Sequence, residues 1–362
     1  MLQRITFTVL FLLGFGIVLS AQTISLNEVA QLEKTITQNP ADSETRLKLI
    51  SYYQQGKTLA AKKSLQKHRV GLIQNNPQTS NYTFFGIWMS ENKNNPEYFE
   101  LKNEWLKQLA KFKTDSKVRL NAGDFLTLAE PLLAEKIFRE GETIDPDFFW
   151  FPLRLIEIYN SKYEDLKSKG EINEETVKED DVKPILEKIV AETQSGLKAL
   201  ETADEATKNE NERKFLAMQA TKSLELGDSK TAYQAAHKLH KNLVETKPQV
   251  YLYEYFCIVE SVKGRAALMD GNLDEAKVHL FEPIKASQSI GTLPPIIDIR
   301  FIEELLIKEG AENILKYLQL CEKLNLEDDD KKIIKKWENL LLKGRIPNFS
   351  EYRNTIENIL IL

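Results

Sequence analysis

What this 362-residue chain has little of narrows the reading first. It has 2 cysteines, so no disulfide framework holds it together. Cys257 and Cys321 each fall inside a helical pattern and fit small buried hydrophobes, although an exported chain would permit them to pair. With 15 Gly and 12 Pro it is neither collagen-like nor of low complexity, and with 42% hydrophobic residues it has material for a substantial core. Its charge is not of one sign. The formal net charge is -5, lysines and acids are mixed along the chain, and no basic stripe marks a nucleic-acid footprint. Strand patterns are missing as well. The nearest, Tyr251 to Tyr255, runs on unbroken into a helical pattern, so the fold class expected is all-α.

Catalytic signatures are also lacking. There is no Gly-x-Ser-x-Gly elbow, no His-Glu-x-x-His, no Gly-x-Gly-x-x-Gly and no P-loop. Neither a cofactor nor a resident metal is expected. The one histidine pair with helical spacing, His237 and His240, would set two rings on one helix face, but no Cys, Asp or Glu nearby in sequence completes a ligand set. A solvated face is the plainer reading of it.

The first residues have a different character. Arg4 is the only charge before Glu28, Val9 to Leu19 is apolar, and Leu19-Ser20-Ala21 offers small residues before Gln22. That is the pattern of a secretory signal over 1–21, and it implies an exported chain: periplasmic, envelope-associated or secreted. Membrane attachment is expected only if that signal stays uncleaved. No other stretch is long and apolar enough to suggest a span.

What is present in quantity is helical periodicity with small residues at regular offsets. Lys263 to Ala286 reads as two antiparallel helices joined at Asp270-Gly271-Asn272, with Gly264, Ala267 and Ala276 thinning the crossing and Leu280 filling beside it. Ala122, Phe125, Ala134, Phe138, Gly141 and Pro146 recur in the same order, and Ala220, Gly227 and Ala232 lie at matching offsets. Gly56 and Ala61 are spaced as Gly271 and Ala276 are. Around them, Ser25 to Glu28 forms a capping box, Asp42 a helix cap, Pro96 a first-turn proline, and Gly310 and Gly344 helix stops. Asp328 to Asp330 is read as the cap of the last helix.

These offsets resemble tetratricopeptide repeats, most clearly at 115–148 and 257–286 and more weakly at 42–77 and 213–248. The runs from Asn121 to Asp147, from Lys316 to Leu324 and from Trp337 to Phe349 are also similar to those of exported bacterial proteins of undefined function. The resemblance implies a superhelical array of antiparallel helix pairs, an α-solenoid, in which each pair buries its face only against its neighbours. The expected organisation is a signal at 1–21, N-terminal repeats at 22–165, a polar acidic insertion at 166–183, C-terminal repeats at 184–349 and a capping tail at 350–362.

In such an array the first helix of each pair lines a concave groove that takes a peptide or partner helix. Aligning Gly264 with Ala122 sets Arg119, Leu126, Ser261, Arg265 and Leu268 on that lining, with each Arg either clamping a partner carboxylate or simply solvating the groove. The function expected is that of a non-enzymatic scaffold binding a protein or peptide. A hydrolase or small-ligand site built on the array, and a structural spacer of the envelope, are the alternatives.

Overall fold

The computed structural model describes residues 24–79, 95–173, 179–246, 253–290, 298–324, 326–349 and 352. The expected signal lies outside them, as does all of the expected tail except Tyr352. The described residues form fifteen α-helices and no strand, neighbouring helices packing in series. The first six are α1 (Leu26–Gln38), α2 (Ser43–Gln54), α3 (Leu59–Asn75), α4 (Pro96–Lys111), α5 (Ser116–Leu126) and α6 (Pro131–Ile144). Next come α7 (Trp150–Asn173), α8 (Glu179–Ala199), α9 (Glu205–Glu225), α10 (Ser229–Thr246) and α11 (Tyr253–Met269). The chain then runs through α12 (Leu273–Ile290), α13 (Ile299–Glu309), α14 (Glu312–Cys321) and α15 (Asp328–Leu342).

Local chemistry sets these ends. Ser25 Oγ accepts from the Glu28 N–H at 3.3 Å while the Ser25 N–H donates to the Glu28 carboxylate at 2.8 Å, a complete capping box that starts α1. Asp42 accepts from the Thr45 N–H at 3.0 Å, and Pro96 opens α4 where its missing N–H costs nothing. The α11–α12 turn closes with Gly271 at φ 79° and the Asn272 N–H donating to the Ala267 carbonyl at 2.8 Å. That left-handed residue is one only glycine adopts without strain.

Three boundaries differ from the sequence reading. α7 runs on to Asn173 and α8 begins at Glu179, so the stretch expected as an insertion is helical at both ends. Lysine and glutamate are good helix formers; their abundance signals exposure, not coil. Pro184 therefore lies inside α8 rather than at its start. Glu327 takes the N-cap position of α15 without a side-chain capping bond, and Asp328, Asp329 and Asp330 fall within the first turn, where their charge complements the helix dipole.

The chain divides into two compact units, one ending at Ile158 and the other beginning at Tyr159, a boundary within α7. In the first, each helix packs on the next from α1 through α6. In the second, α8 through α12 pack in sequence, as do α13 through α15, and alternate helices also touch: α9 with α11, α11 with α13, α12 with α14. Recurrent glycine–phenylalanine sockets set these crossings. A Cβ added at Gly123 would overlap the Phe138 ring, and one at Gly264 the Phe301 ring; Gly141 and Gly196 receive Phe151 and Phe215 in the same way. The last helices close around Trp337, whose indole N–H donates to the Asn348 carbonyl at 3.1 Å and whose ring meets Phe349 and Tyr352 edge-on.

Candidate functional site

The five residues that the repeat register assigns to an open groove are all buried: Arg119, Leu126, Ser261, Arg265 and Leu268. This corrects their expected exposure, and the cause is visible around them. Arg119 donates from Nε and Nη2 to the Lys113 carbonyl at 3.0 and 2.8 Å, and from Nη1 to Glu140 at 3.1 Å. Arg265 grips Glu304 on α13 through Nε at 3.2 Å and Nη2 at 2.7 Å. Each guanidinium thus already holds a carboxylate of its own chain. Leu268 packs in the core that α13 and α14 complete. On α11 every residue from 257 to 268 is buried, and on α9 every residue from 219 to 224. Helices buried on all sides need partners for their polar residues.

Those partners, and those of polar residues on other helices, make four polar centres. In the second unit Glu225, on α9, accepts from the Tyr163 hydroxyl on α7 and pairs with Lys222 at 3.3 Å and with Arg300 on α13 at 3.4 Å. The Lys222 ammonium lies 4.2 Å from the centre of the Tyr163 ring. Burial pushes the Glu225 carboxyl upward, but Lys222, Arg300 and the tyrosine hydroxyl outweigh it and bring it down to about 2. Burial in turn lowers Lys222.

The second centre spans α10, α11 and α12. Lys263 Nζ meets His240 Nδ1 at 3.2 Å, and His279 Nδ1 meets Glu260 at 2.7 Å. His237 is exposed one turn before His240, so the pair seen in the sequence is split: one ring faces solvent and the other is engaged by α11. Among the described residues no group of three or more His, Cys, Asp or Glu is placed to hold a metal ion.

The third centre belongs to the first unit. Arg154 on α7 donates to Asp124 on α5 through Nε at 2.8 Å and Nη2 at 3.3 Å, and to Glu157 through Nη1 at 2.9 Å. Burial dominates here and lifts the Asp124 carboxyl to about 6, because Arg154 is shared with Glu157. Near the chain's start Glu33 gathers Tyr53 at 2.9 Å, His68 at 2.7 Å and Lys67 at 3.2 Å.

None of these centres joins a nucleophile to a base at an accessible position. Neither thiol is in a disulfide, both are buried, and burial raises that of Cys321. An open groove of about 600 Å³ lies between the start of α9 and the end of α10, with Lys208, Glu212, Lys238, Lys241 and Glu245 on its walls. Charges of both signs are mixed there. No helix among the described residues is long and apolar enough to cross a membrane. Comparison with protein-family models and with curated proteins finds no match to this chain.

Proposed function

We propose that this chain is an exported, non-enzymatic scaffold of tetratricopeptide-like helix pairs that binds a protein or peptide partner. The observation that carries the reading is the serial packing of neighbouring helices, with glycine sockets at their crossings and alternate helices in contact through the second unit. The missing nucleophile and cofactor motifs support a role without catalysis, and the pattern of Arg4, the apolar run and Ala21 supports export. Because Arg119 and Arg265 are held internally, the partner meets other residues of the array.

The test is crosslinking with mass spectrometry on the tagged full chain in its native host, competed by excess untagged chain. A partner recovered on one recurring set of lysines and lost under competition upholds the reading. No competed crosslink in repeated trials overturns it in favour of a spacer. N-terminal sequencing of the mature chain tests export separately, with Gln22 as the expected first residue.

A small-ligand role on the same array is favoured by one feature, the groove between α9 and α10 with charges of both signs on its walls. A thermal-shift survey of small zwitterions distinguishes it, a stabilisation lost in Lys241→Glu being the outcome it requires.

A further inference from the structure

Lys263 sits in the middle of α11, 6% exposed, and its hydrogen bond among the described residues goes to a ring nitrogen, His240 Nδ1 at 3.2 Å. An ammonium has three donors and no acceptor, so that nitrogen carries no proton and the ring is held as the Nε2–H tautomer. One turn earlier on α11, Glu260 is 4% exposed and accepts from His279 Nδ1 at 2.7 Å. Lys263 and Glu260 therefore have opposite charges one turn apart on one helix, yet each takes a histidine from a flanking helix in place of the other.

We propose that this cluster is an acid-sensitive latch: neutral His240 ties α10 to α11 through Lys263, and its protonation breaks the tie and lets the Lys263 amine reach solvent. A proton on Nδ1 removes the acceptor and leaves two cations face to face in a half-buried site. The groups acting on His240 are Lys263 and Glu260 from α11, His237 from α10 and His279 from α12. From α9, Glu212 and Arg213 are both engaged with Asn242, two residues after His240 on α10. Glu275 of α12 stands 3.8 Å from His279 Nε2. Burial and Lys263 lower the proton affinity of the His240 ring, which keeps the latch closed at neutral pH. Lys238 and Lys241 flank His240 in sequence and line the groove between α9 and α10, so opening the latch reshapes that groove.

The decisive experiment follows Lys263 in the full chain by amine labelling and mass spectrometry at about pH 7.5 and about pH 5.5, normalised to exposed Lys238. Amide hydrogen exchange of α10 and α11, corrected for its intrinsic pH dependence, is read beside it. His240→Asn keeps an acceptor near the Nδ1 position and cannot titrate. The expected result is a several-fold rise in relative Lys263 labelling on acidification of the wild type, and no rise in His240→Asn. Equal labelling at both pH values in the wild type, or an equal rise in the variant, overturns the latch. Nitrogen NMR of the wild-type ring adds a test independent of any variant: an Nδ1–H tautomer at neutral pH is incompatible with it.

Discussion

Each unit holds a nearly buried carboxylate paired with an arginine, and the two carboxylates behave in opposite ways. In the first unit Asp124 shares Arg154 with Glu157, and burial lifts its carboxyl to about 6. In the second, Glu225 is served by Lys222 and Arg300 and by the Tyr163 hydroxyl, and its carboxyl falls to about 2. Burial is close to complete at both, so depth does not distinguish them; the number of cations for each carboxylate does. One shared guanidinium leaves a carboxylate that binds its proton more tightly in the folded chain than in the unfolded one. Two cations and a hydroxyl make one that the fold needs charged.

The most direct way to break this contrast is to neutralise both carboxylates. Glu225→Gln removes the carboxylate that Lys222 and Arg300 share and should cost about 3–5 kcal/mol. Asp124→Asn leaves Arg154 its bonds to Glu157 and should cost within about 1 kcal/mol at neutral pH. Chemical denaturation of the two variants measures both, and equal losses would remove the distinction.

The pH dependence sharpens it, because the signs are opposite. For Glu225 the unfolded state binds more protons between 4.5 and about 2, so the stability it contributes is complete above that window and lost as pH falls through it. Asp124 binds its proton more tightly in the folded state between 3.8 and about 6, so its contribution shrinks as pH rises through that range. Each effect amounts to up to about 3 kcal/mol. Stability titrations of the wild type against Glu225→Gln and Asp124→Asn should yield difference curves of opposite slope.

Smaller effects are expected where the units agree. Gly123→Ala and Gly264→Ala both force a Cβ into a phenylalanine ring and should each cost about 1–3 kcal/mol, with similar values in the two units. Lys48→Ala and Lys332→Ala remove exposed ion pairs, to Glu44 and Asp329, and should leave the unfolding midpoint unchanged.

The helix ends were legible in the sequence because each depends on residues close together in the chain. Ser25 and Glu28 form their capping box, Asp42 caps α2, and Gly271 and Gly310 take the left-handed conformation at their stops. The polar stretch around Lys167 was misread because apolar periodicity reports which face is buried rather than whether the backbone is helical. Burial of Arg119 and Arg265 was not legible at all. Their carboxylates, Glu140 and Glu304, stand 21 and 39 residues away, and a charge near the repeat register looks the same whether it faces water or a distant partner. The Glu225 centre is more remote still, drawing on Tyr163 62 residues before it and Arg300 75 after it.

The glycine sockets give the chain a direction. In each of them the notch comes first and the ring that fills it comes later: Gly123 before Phe138, Gly141 before Phe151, Gly196 before Phe215, Gly264 before Phe301. Every such junction is a lock whose key is carried by the helix still to come. Excising a segment between a lock and its key would bring together surfaces shaped for other neighbours, leaving an empty notch on one side and a bulky ring on the other. Shortening or shuffling this array therefore requires recutting both halves of each new junction, and a growing chain that stops early presents its last notch unfilled.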